Sequence, residues 1–568
     1  MFEPKGPGAD LFKKRYALTP EETWEKACKR VARQVSLAEE PEASNKWKDR
    51  FFEELSENRF MPAGRIWYGA GRPKAALFNC FVIPTEDSRE GWGDTVKNMI
   101  IISGMGGGVG INFSSIRPRG TPISGTGGEA TGSVSLMEII NAAGNVIKAG
   151  GGRRAALMFD LNLDHPDIEE FLDKKLDLNQ LNNANVSIMI PHGKQDMFIE
   201  AVKENKDWDL IWQGKVVKQI KARHLWNRLV KNMLESAEPG ILNSHFANEM
   251  NNVYYCRELV STNPCGELHL SANEACDLGS IVLPRFVTAK GEIDRQALTE
   301  TITVAVRFLD NVLDITTYPN AEIKQNCQQL RRIGLGIMGL HDMILKMGMK
   351  YDSPEAMETI EKLMKFIRNR AYEASCFLGV EKGSFPLFAP ELFSKGGFIK
   401  TLSAGLQHKI KEYGIRNCAL LSIAPTGTIS IISGVSSGIE PLFAFAYKRR
   451  FQDGEETVEE VWTHPLYEQY VREGKDTSHF QSAHELSVES HLAVQIICQK
   501  YTDNAVSKTI NVPKKYNAKQ INELILNHLH EIKGITLYVD GTRGESPLEV
   551  VSEDEVMKNL CPKGVCDI

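Results

Sequence analysis

The chain has 568 residues, 42% of them hydrophobic and 25% charged, enough for a large buried core in one domain or a few smaller ones. Its net charge of -6 offers no basic surface for coating a nucleic acid polymer. No apolar run approaches bilayer-spanning length and the N-terminus lacks a secretory core, so a cytoplasmic protein is expected; eleven thinly spread cysteines predict reduced thiols, a minority of them redox-active.

Thr19-Pro20-Glu21-Glu22 predicts a capped helix start, with helix continuing into the forties. Short apolar runs then alternate with helical patterns: a strand in 76–83, a helix after Asp87, a strand at 109–113, a helix after Thr131, a strand at 155–160 and a helix from His165-Pro166-Asp167. That rhythm predicts an α/β fold. The runs 186–190 and 418–424 read as buried strands of a mostly parallel sheet, and 297–317, 333–347 and 354–378 read as scaffold helices. From Thr542 the chain is polar and acidic, and it reads as a mobile tail ending in Cys561-Pro-Lys-Gly-Val-Cys566-Asp-Ile.

Asn263, Cys265 and Glu267 recur at every second position of Asn-Pro-Cys-Gly-Glu. In an extended segment they share one side, where an amide orients a ligand hydroxyl, a carboxylate takes its proton and a thiol reacts. A turn around a buried cysteine fits the same spacing. The glycine-rich stretches invite a phosphate reading, but none carries the Gly-Lys-Ser/Thr of a P-loop. Gly125-x-Gly-x-x-Ala130 fits a dinucleotide fingerprint in form only, since no apolar strand precedes it, and NAD is rejected. Two tail cysteines leave a zinc site half-complete, so no metal is expected.

The Asn-Pro-Cys-Gly-Glu string resembles the finger loop of ribonucleotide reductases, and further motifs match in order. They include Asn79-Cys80-Phe81-Val82-Ile83-Pro84, Gly106-Gly107-Gly108-Val109-Gly110, Arg117-Pro118-Arg119-Gly120, Gly150-Gly151-Gly152-Arg153-Arg154, Glu274-Ala275-Cys276-Asp277-Leu278-Gly279-Ser280 and Ala424-Pro425-Thr426-Gly427-Thr428. The resemblance implies a ten-stranded α/β barrel with a central finger loop. It divides the chain into a helical segment over 1–60, the catalytic barrel over 61–541 and a redox-active tail over 542–568.

It also implies roles. Cys265 becomes the thiyl radical that abstracts the ribose 3′ hydrogen, Glu267 takes the 3′-hydroxyl proton and Asn263 orients the ribose. Cys80 and Cys276 reduce the substrate, and Cys561 and Cys566 shuttle electrons from a thioredoxin-like donor. Pro425, Thr426, Gly427, Thr428 and Ile429 hold the phosphates of a ribonucleoside di- or triphosphate. Asp87, Arg117 and Ile123 bind a dNTP or ATP specificity effector, which Gly151 and Arg153 link to the substrate base. The specificity site of this family suggests a homodimer. Cys28, Cys256, Cys327, Cys376, Cys418 and Cys498 have no partner motif and read as structural.

Relatives fed by a metal-containing subunit carry two adjacent tyrosines near the end, whereas this chain has Tyr538-Val539. With Phe443-Ala-Phe-Ala-Tyr447-Lys-Arg-Arg, that resembles the adenosylcobalamin class. Alternatives are a catalytic subunit needing such a partner and an inactive nucleotide-binding regulatory relative. Residues 61–71 match loosely and contribute no phosphate ligand, and the chain begins without room for an N-terminal regulatory domain, so on/off control by ATP and dATP is not expected.

Overall fold

The computed structural model describes residues 1–125, 127–149, 153–177, 179–453, 456–539 and 548–551. Three helices open the chain: α1 (Pro7–Arg15), α2 (Trp24–Ser36) and α3 (Pro41–Ser56). The cap predicted at Thr19 lies four residues further on, where Thr23 Oγ1 accepts from Lys26 N at 3.3 Å. Glu22 reaches back to the N–H of Leu18 at 2.6 Å, outside the helix, and pairs with Arg30 at 2.7 Å. The stretch through the forties is therefore two helices, α3 restarting at Pro41.

Five parallel strands follow in one half of the fold: β1 (Cys80–Val82), β2 (Gly108–Asn112), β3 (Ala156–Asn162), β4 (Ala184–Ile190) and β5 (Gly240–Asn243). The second half contains β6 (Glu274–Cys276) running on into β7 (Leu278–Val282), then β8 (Gly334–Met338), the segment 420–424, β9 (Thr509–Val512) and β10 (Gly534–Val539). These too pair in parallel, through bridges Leu335↔Leu421 and Ile423↔Val506 and the β9–β10 ladder. The halves join antiparallel at β5–β10 and at β6–β1. The pairings thus return to β1, in keeping with the mixed α/β fold and the ten-stranded ring expected. Both faces of the strands are covered, and β7 and β8 are buried along their whole length.

Helices α4 (Arg89–Gly104) and α5 (Ser133–Val146) pack on each other outside the first half, while α6 (Arg295–Ile315) and α7 (Pro354–Lys382) cover the second. Each starts where expected to within a few residues, and Ser88, Asp294 and Ser353 supply the side-chain caps of α4, α6 and α7. The helix expected over 333–347 is instead β8 followed by a short helix, Leu340–Lys346. A strand buried on both faces gives an unbroken apolar run that periodicity cannot separate from a helix. Its glycines are the overlooked signal: a Cβ at Gly336 would sit 2.4 Å from Ser422 O, so only glycine lets the neighbouring strand approach. Part of the expected tail has structure as well, since Leu548–Val550 forms a strand paired with Tyr447–Arg449.

No helix among the described residues is long and apolar enough to cross a membrane.

Candidate active site

A hairpin rises inside the ring. Ser261 and Thr262 pair with Leu270 and His269, and the connecting residues form its tip. The turn is fixed by Asn263: its Oδ1 accepts from Leu268 N at 3.0 Å and its carbonyl accepts from Gly266 N, with Gly266 at φ +77°. The glycine run 106–110 makes room for this hairpin. A Cβ at Gly110 would lie 1.6 Å from Thr262 O, and one at Gly108 would lie 2.8 Å from the Pro264 ring. Asn185 of β4 anchors the tip, its Nδ2 donating to Pro264 O at 2.8 Å.

Cys265, at the tip, lines two cavities, one on each side of the hairpin. The first, about 160 Å³, is also lined by Cys80, Asn263 and Glu267 and by Pro425 through Ile429. Asn263 Nδ2 donates to Cys80 Sγ at 3.2 Å, and Cys80 Sγ lies 3.9 Å from Glu267 Oε1. Glu267 is 2% exposed, and its Oε2 meets no hydrogen-bond partner in the described structure. Burial pushes its carboxyl up to about 7, opposed by the Asn263 amide, its own backbone and the Cys80 thiol. The site therefore holds a carboxyl poised to exchange a proton near neutrality, with one oxygen left for a ligand hydroxyl.

Cys276 does not line this cavity but lies directly opposite Cys80 in the β6–β1 ladder. Directly opposed antiparallel residues have Cα atoms roughly 4.5–5.5 Å apart, within the span a disulfide bridges. Cys276 is 0% exposed, and burial, reinforced by Asp277, drives its thiol well above the ordinary range, keeping it protonated. Cys28, Cys327, Cys376, Cys418 and Cys498 are buried and Cys256 is half-buried.

The phosphate-loop residues end at a short helix, α8 (Ile429–Ser433), preceded by Thr426 at φ +54°. Thr426 Oγ1 accepts from Gly438 N at 2.8 Å, fixing the loop, and a helix start presents N–H groups with no intrahelical acceptor. Sequence reasoning missed Ala63, Gly64 and Ser280, which also line this cavity, the first two from the region set aside as a loose match. Tyr16 at the end of α1 reaches it too: a Cβ on Gly64 would meet the Tyr16 hydroxyl at 2.3 Å. Only the contact with α1 reveals that role.

The second cavity, about 230 Å³, lies beyond Cys265 between β4, β5 and β10, with Asn185, Ser187, Glu238 and Lys508 among its lining residues. Lys508 pairs with Glu440 at 2.6 Å, and Glu238 pairs with Lys175 at 3.1 Å.

Asp87 and Arg117 lie together, apart from these cavities, Arg117 Nε donating to Asp87 Oδ2 at 2.7 Å. The Ile123 N–H donates to Gly128 O at 2.9 Å. Arg153 pairs through its backbone with Ala149, whereas its side chain, Gly151, Cys561 and Cys566 lie outside the described residues. Among the described residues one cluster has metal-ligand spacing, His192, His245 and Glu249. There Gly193 N donates to His245 Nδ1, which places the neutral ring's proton on Nε2 and leaves that ring no lone pair for a cation.

The chain matches the family model described as "Ribonucleotide reductase, barrel domain" over residues 78–538, and that described as "Ribonucleotide reductase, all-alpha domain" over residues 2–75. It is 36% identical to the vitamin B12-dependent ribonucleoside-diphosphate reductase of Thermoplasma acidophilum, an alignment covering 91% of this chain and 72% of the relative. The Mycobacterium tuberculosis protein of the same name is 32% identical over 97% of this chain and 80% of its own. The ribonucleoside-diphosphate reductase subunit alpha of Chlamydia trachomatis is 28% identical over 78% of this chain and 47% of its own.

Proposed function

Because this chain belongs to the ribonucleotide reductase family and is a ribonucleotide reductase, we propose that Cys265 carries its radical chemistry and that cobalamin in the adenosyl form is its cofactor. The carrying observation is that one thiol lines two cavities separated by a hairpin tip. A radical generated on one side can reach a ribose on the other through a single sulfur.

The second cavity suits the adenosyl group. Asn185, Ser187 and Lys508 would hold it with polar contacts, and the glycines at 240, 266 and 534 leave its wall without side chains. When bound, the cofactor supplies the radical that removes the Cys265 hydrogen. The relatives named vitamin B12-dependent and the single tyrosine at Tyr538-Val539 support this over a metal-containing partner subunit.

In the first cavity the Cys265 thiyl abstracts the 3′ hydrogen of the ribose, and Glu267, through its open Oε2, takes the 3′-hydroxyl proton. The 2′-hydroxyl then leaves as water with a proton from the Cys80/Cys276 pair. That pair gives one hydrogen to the departing water and one to C2′ and becomes a disulfide, Glu267 returns its proton to the 3′-oxygen and the Cys265 hydrogen returns to C3′, so one ribonucleotide and two thiols yield one deoxyribonucleotide, one water and one disulfide. Asn263 holds both the turn and the Cys80 sulfur, and residues 425–429 receive the phosphates. Cys561 and Cys566 reduce the buried disulfide and pass its electrons to a thioredoxin-like protein.

Asp87, Arg117 and Ile123 form the specificity-effector site, with Gly151 and Arg153 in the loop leading to the substrate base. A homodimer is supported by exposed apolar side chains, Ile100 and Ile101 on α4 and Ile139 and Val146 on α5. The chain works in the cytoplasm on ribonucleoside di- or triphosphates.

The test is turnover of purified chain with ribonucleotide, effector and dithiothreitol, with and without adenosylcobalamin. Activity only with the cofactor, lost in Cys265→Ala, is expected. Turnover by Cys265→Ala would overturn the thiol assignment, and cofactor-independent turnover on adding a metal-containing subunit would overturn the cofactor.

A further inference from the structure

Helix α1 belongs to the segment that matches the all-alpha domain, yet Tyr16, the residue that ends it, lines the catalytic cavity. Its phenol end makes the approach. A Cβ on Gly64, which lines the same cavity, would collide with the Tyr16 hydroxyl and lie 2.9 Å from the ring carbon that carries it. The hydroxyl therefore reaches the cavity wall only because position 64 has no side chain. Tyr16 is 8% exposed, so its ring is packed and the place of the hydroxyl is set.

Arg30 fixes that approach from behind. Its guanidinium donates to Tyr16 O at 3.2 Å, to Trp67 O at 3.0 Å and to Ala70 O at 2.6 Å, while Glu22 pairs with it at 2.7 Å. One planar fork thus ties the end of α1 to the short helix Gly64–Gly69. The start of α1 is seated on α8, since a Cβ on Gly8 would lie 2.7 Å from Ile431 O. The helix is therefore held at one end to the element that follows residues 425–429 and at the other to the cavity wall.

The same wall carries positive charge. Arg65 is 5% exposed, donates to Met105 O and lies over the Tyr68 ring at 4.7 Å. Its guanidinium packs against Gly106, which lines the cavity and where any Cβ would strike it. A cation behind a bare stretch of backbone, in a poorly polarisable surrounding, acts at close range on an anion in the cavity. Among the described residues the only carboxyl lining this cavity is Glu267, which belongs to the finger.

We propose that Tyr16 is a substrate ligand, its hydroxyl donating to a phosphate oxygen of the ribonucleotide, so that the N-terminal helical segment completes the substrate site. The ribose must sit at the finger, within reach of Cys265 and Glu267. A donor hydroxyl backed by a cation suits the anionic end of the nucleotide better than its neutral base, and a hydroxyl-to-phosphate hydrogen bond is of the strong, charge-assisted kind. The proposal rests on the assignment of residues 425–429 to the phosphates and adds to it a ligand from a separate part of the chain.

The experiment uses full-length protein with adenosylcobalamin and effector. Tyr16→Phe keeps the ring and removes one donor, so it should raise the KM for a ribonucleoside diphosphate roughly tenfold to a hundredfold and leave kcat within about twofold. Gly64→Ala pushes the phenol aside while keeping its hydroxyl. In that background the Tyr16→Phe exchange should change KM by less than about twofold, and a full additional loss would overturn the geometry. With 3-fluorotyrosine incorporated and reductant omitted, the resonance absent from Tyr16→Phe should shift saturably with the diphosphate and not with the unphosphorylated ribonucleoside. An equal shift with both overturns the phosphate contact, and a resonance unmoved at saturating diphosphate overturns any contact. Thr428→Val separates the two readings. A raised KM there beside an unchanged KM in Tyr16→Phe overturns the Tyr16 role alone, whereas no change in either overturns the phosphate assignment of residues 425–429 with it.

Discussion

Replacing Glu267 with glutamine separates the catalytic value of that carboxyl from its cost to the fold. Burial raises it from the ordinary 4.5 to about 7. The folded state thus keeps a proton that the unfolded chain has already lost, and stability falls as pH rises from 4.5 to about 7 and is level above. At about 1.4 kcal/mol per pH unit, the cost above pH 7 is about 3 kcal/mol. Glu267→Gln should recover up to about 3 kcal/mol at pH 8 and almost nothing at pH 4, seen as a pH-dependent shift in urea midpoint. Activity should move the other way. In the wild type kcat/KM should rise roughly tenfold from pH 6 to pH 8 as the base ionises, with a midpoint about 7, and the glutamine variant should turn over at background rate. A wild-type midpoint near 4.5 with no stability gain in the variant would refute the buried-acid reasoning, and turnover by the variant would refute the base.

Three other expectations follow from the geometry. With reductant omitted, a single turnover should leave a Cys80–Cys276 disulfide on peptide mapping, and a different pairing would contradict the cross-strand assignment. Gly110→Ala forces a Cβ against Thr262 O, so it should cost about 1–3 kcal/mol and lower turnover roughly a hundredfold; Gly405→Ala, with open space around it, should do neither. Changing Cys561 and Cys566 to serine should stop turnover with thioredoxin and spare it with dithiothreitol, and equal loss with both would argue against a shuttle.

What the sequence revealed divides by range. The trio Asn263, Cys265 and Glu267 was visible as a local string, but not through extended alternation: residues 263–266 form a turn closed by Gly266 N to Asn263 O, which buries Asn263 and Glu267 and leaves Cys265 exposed, and the three still line one cavity. The helices α6 and α7 were legible from their 3.6-residue stripes and their caps. The glycine run 106–110 stood out as a motif without a P-loop lysine, and the close passage of the finger that it permits appears only once Thr262 lies over Gly110. The facing of Cys80 and Cys276 is a register between strands far apart in sequence, which no local pattern encodes. The same is true of Tyr16 and Gly64, brought to the cavity by the packing of α1.

On the proposed reading, the access of each sulfur separates the radical thiol from the reducing pair. Cys276 is closed to solvent and faces Cys80 across a ladder, a geometry suited to forming a disulfide and unsuited to meeting a cofactor. Cys265 is exposed and lines both cavities, which suits receiving a radical and returning a hydrogen. Each sulfur therefore does what its access permits. On the proposed reading, a protein reductant is too large to reach the oxidised pair, of which Cys80 opens only onto the first cavity, so the tail cysteines would carry its electrons, while a small dithiol could enter the cavity directly.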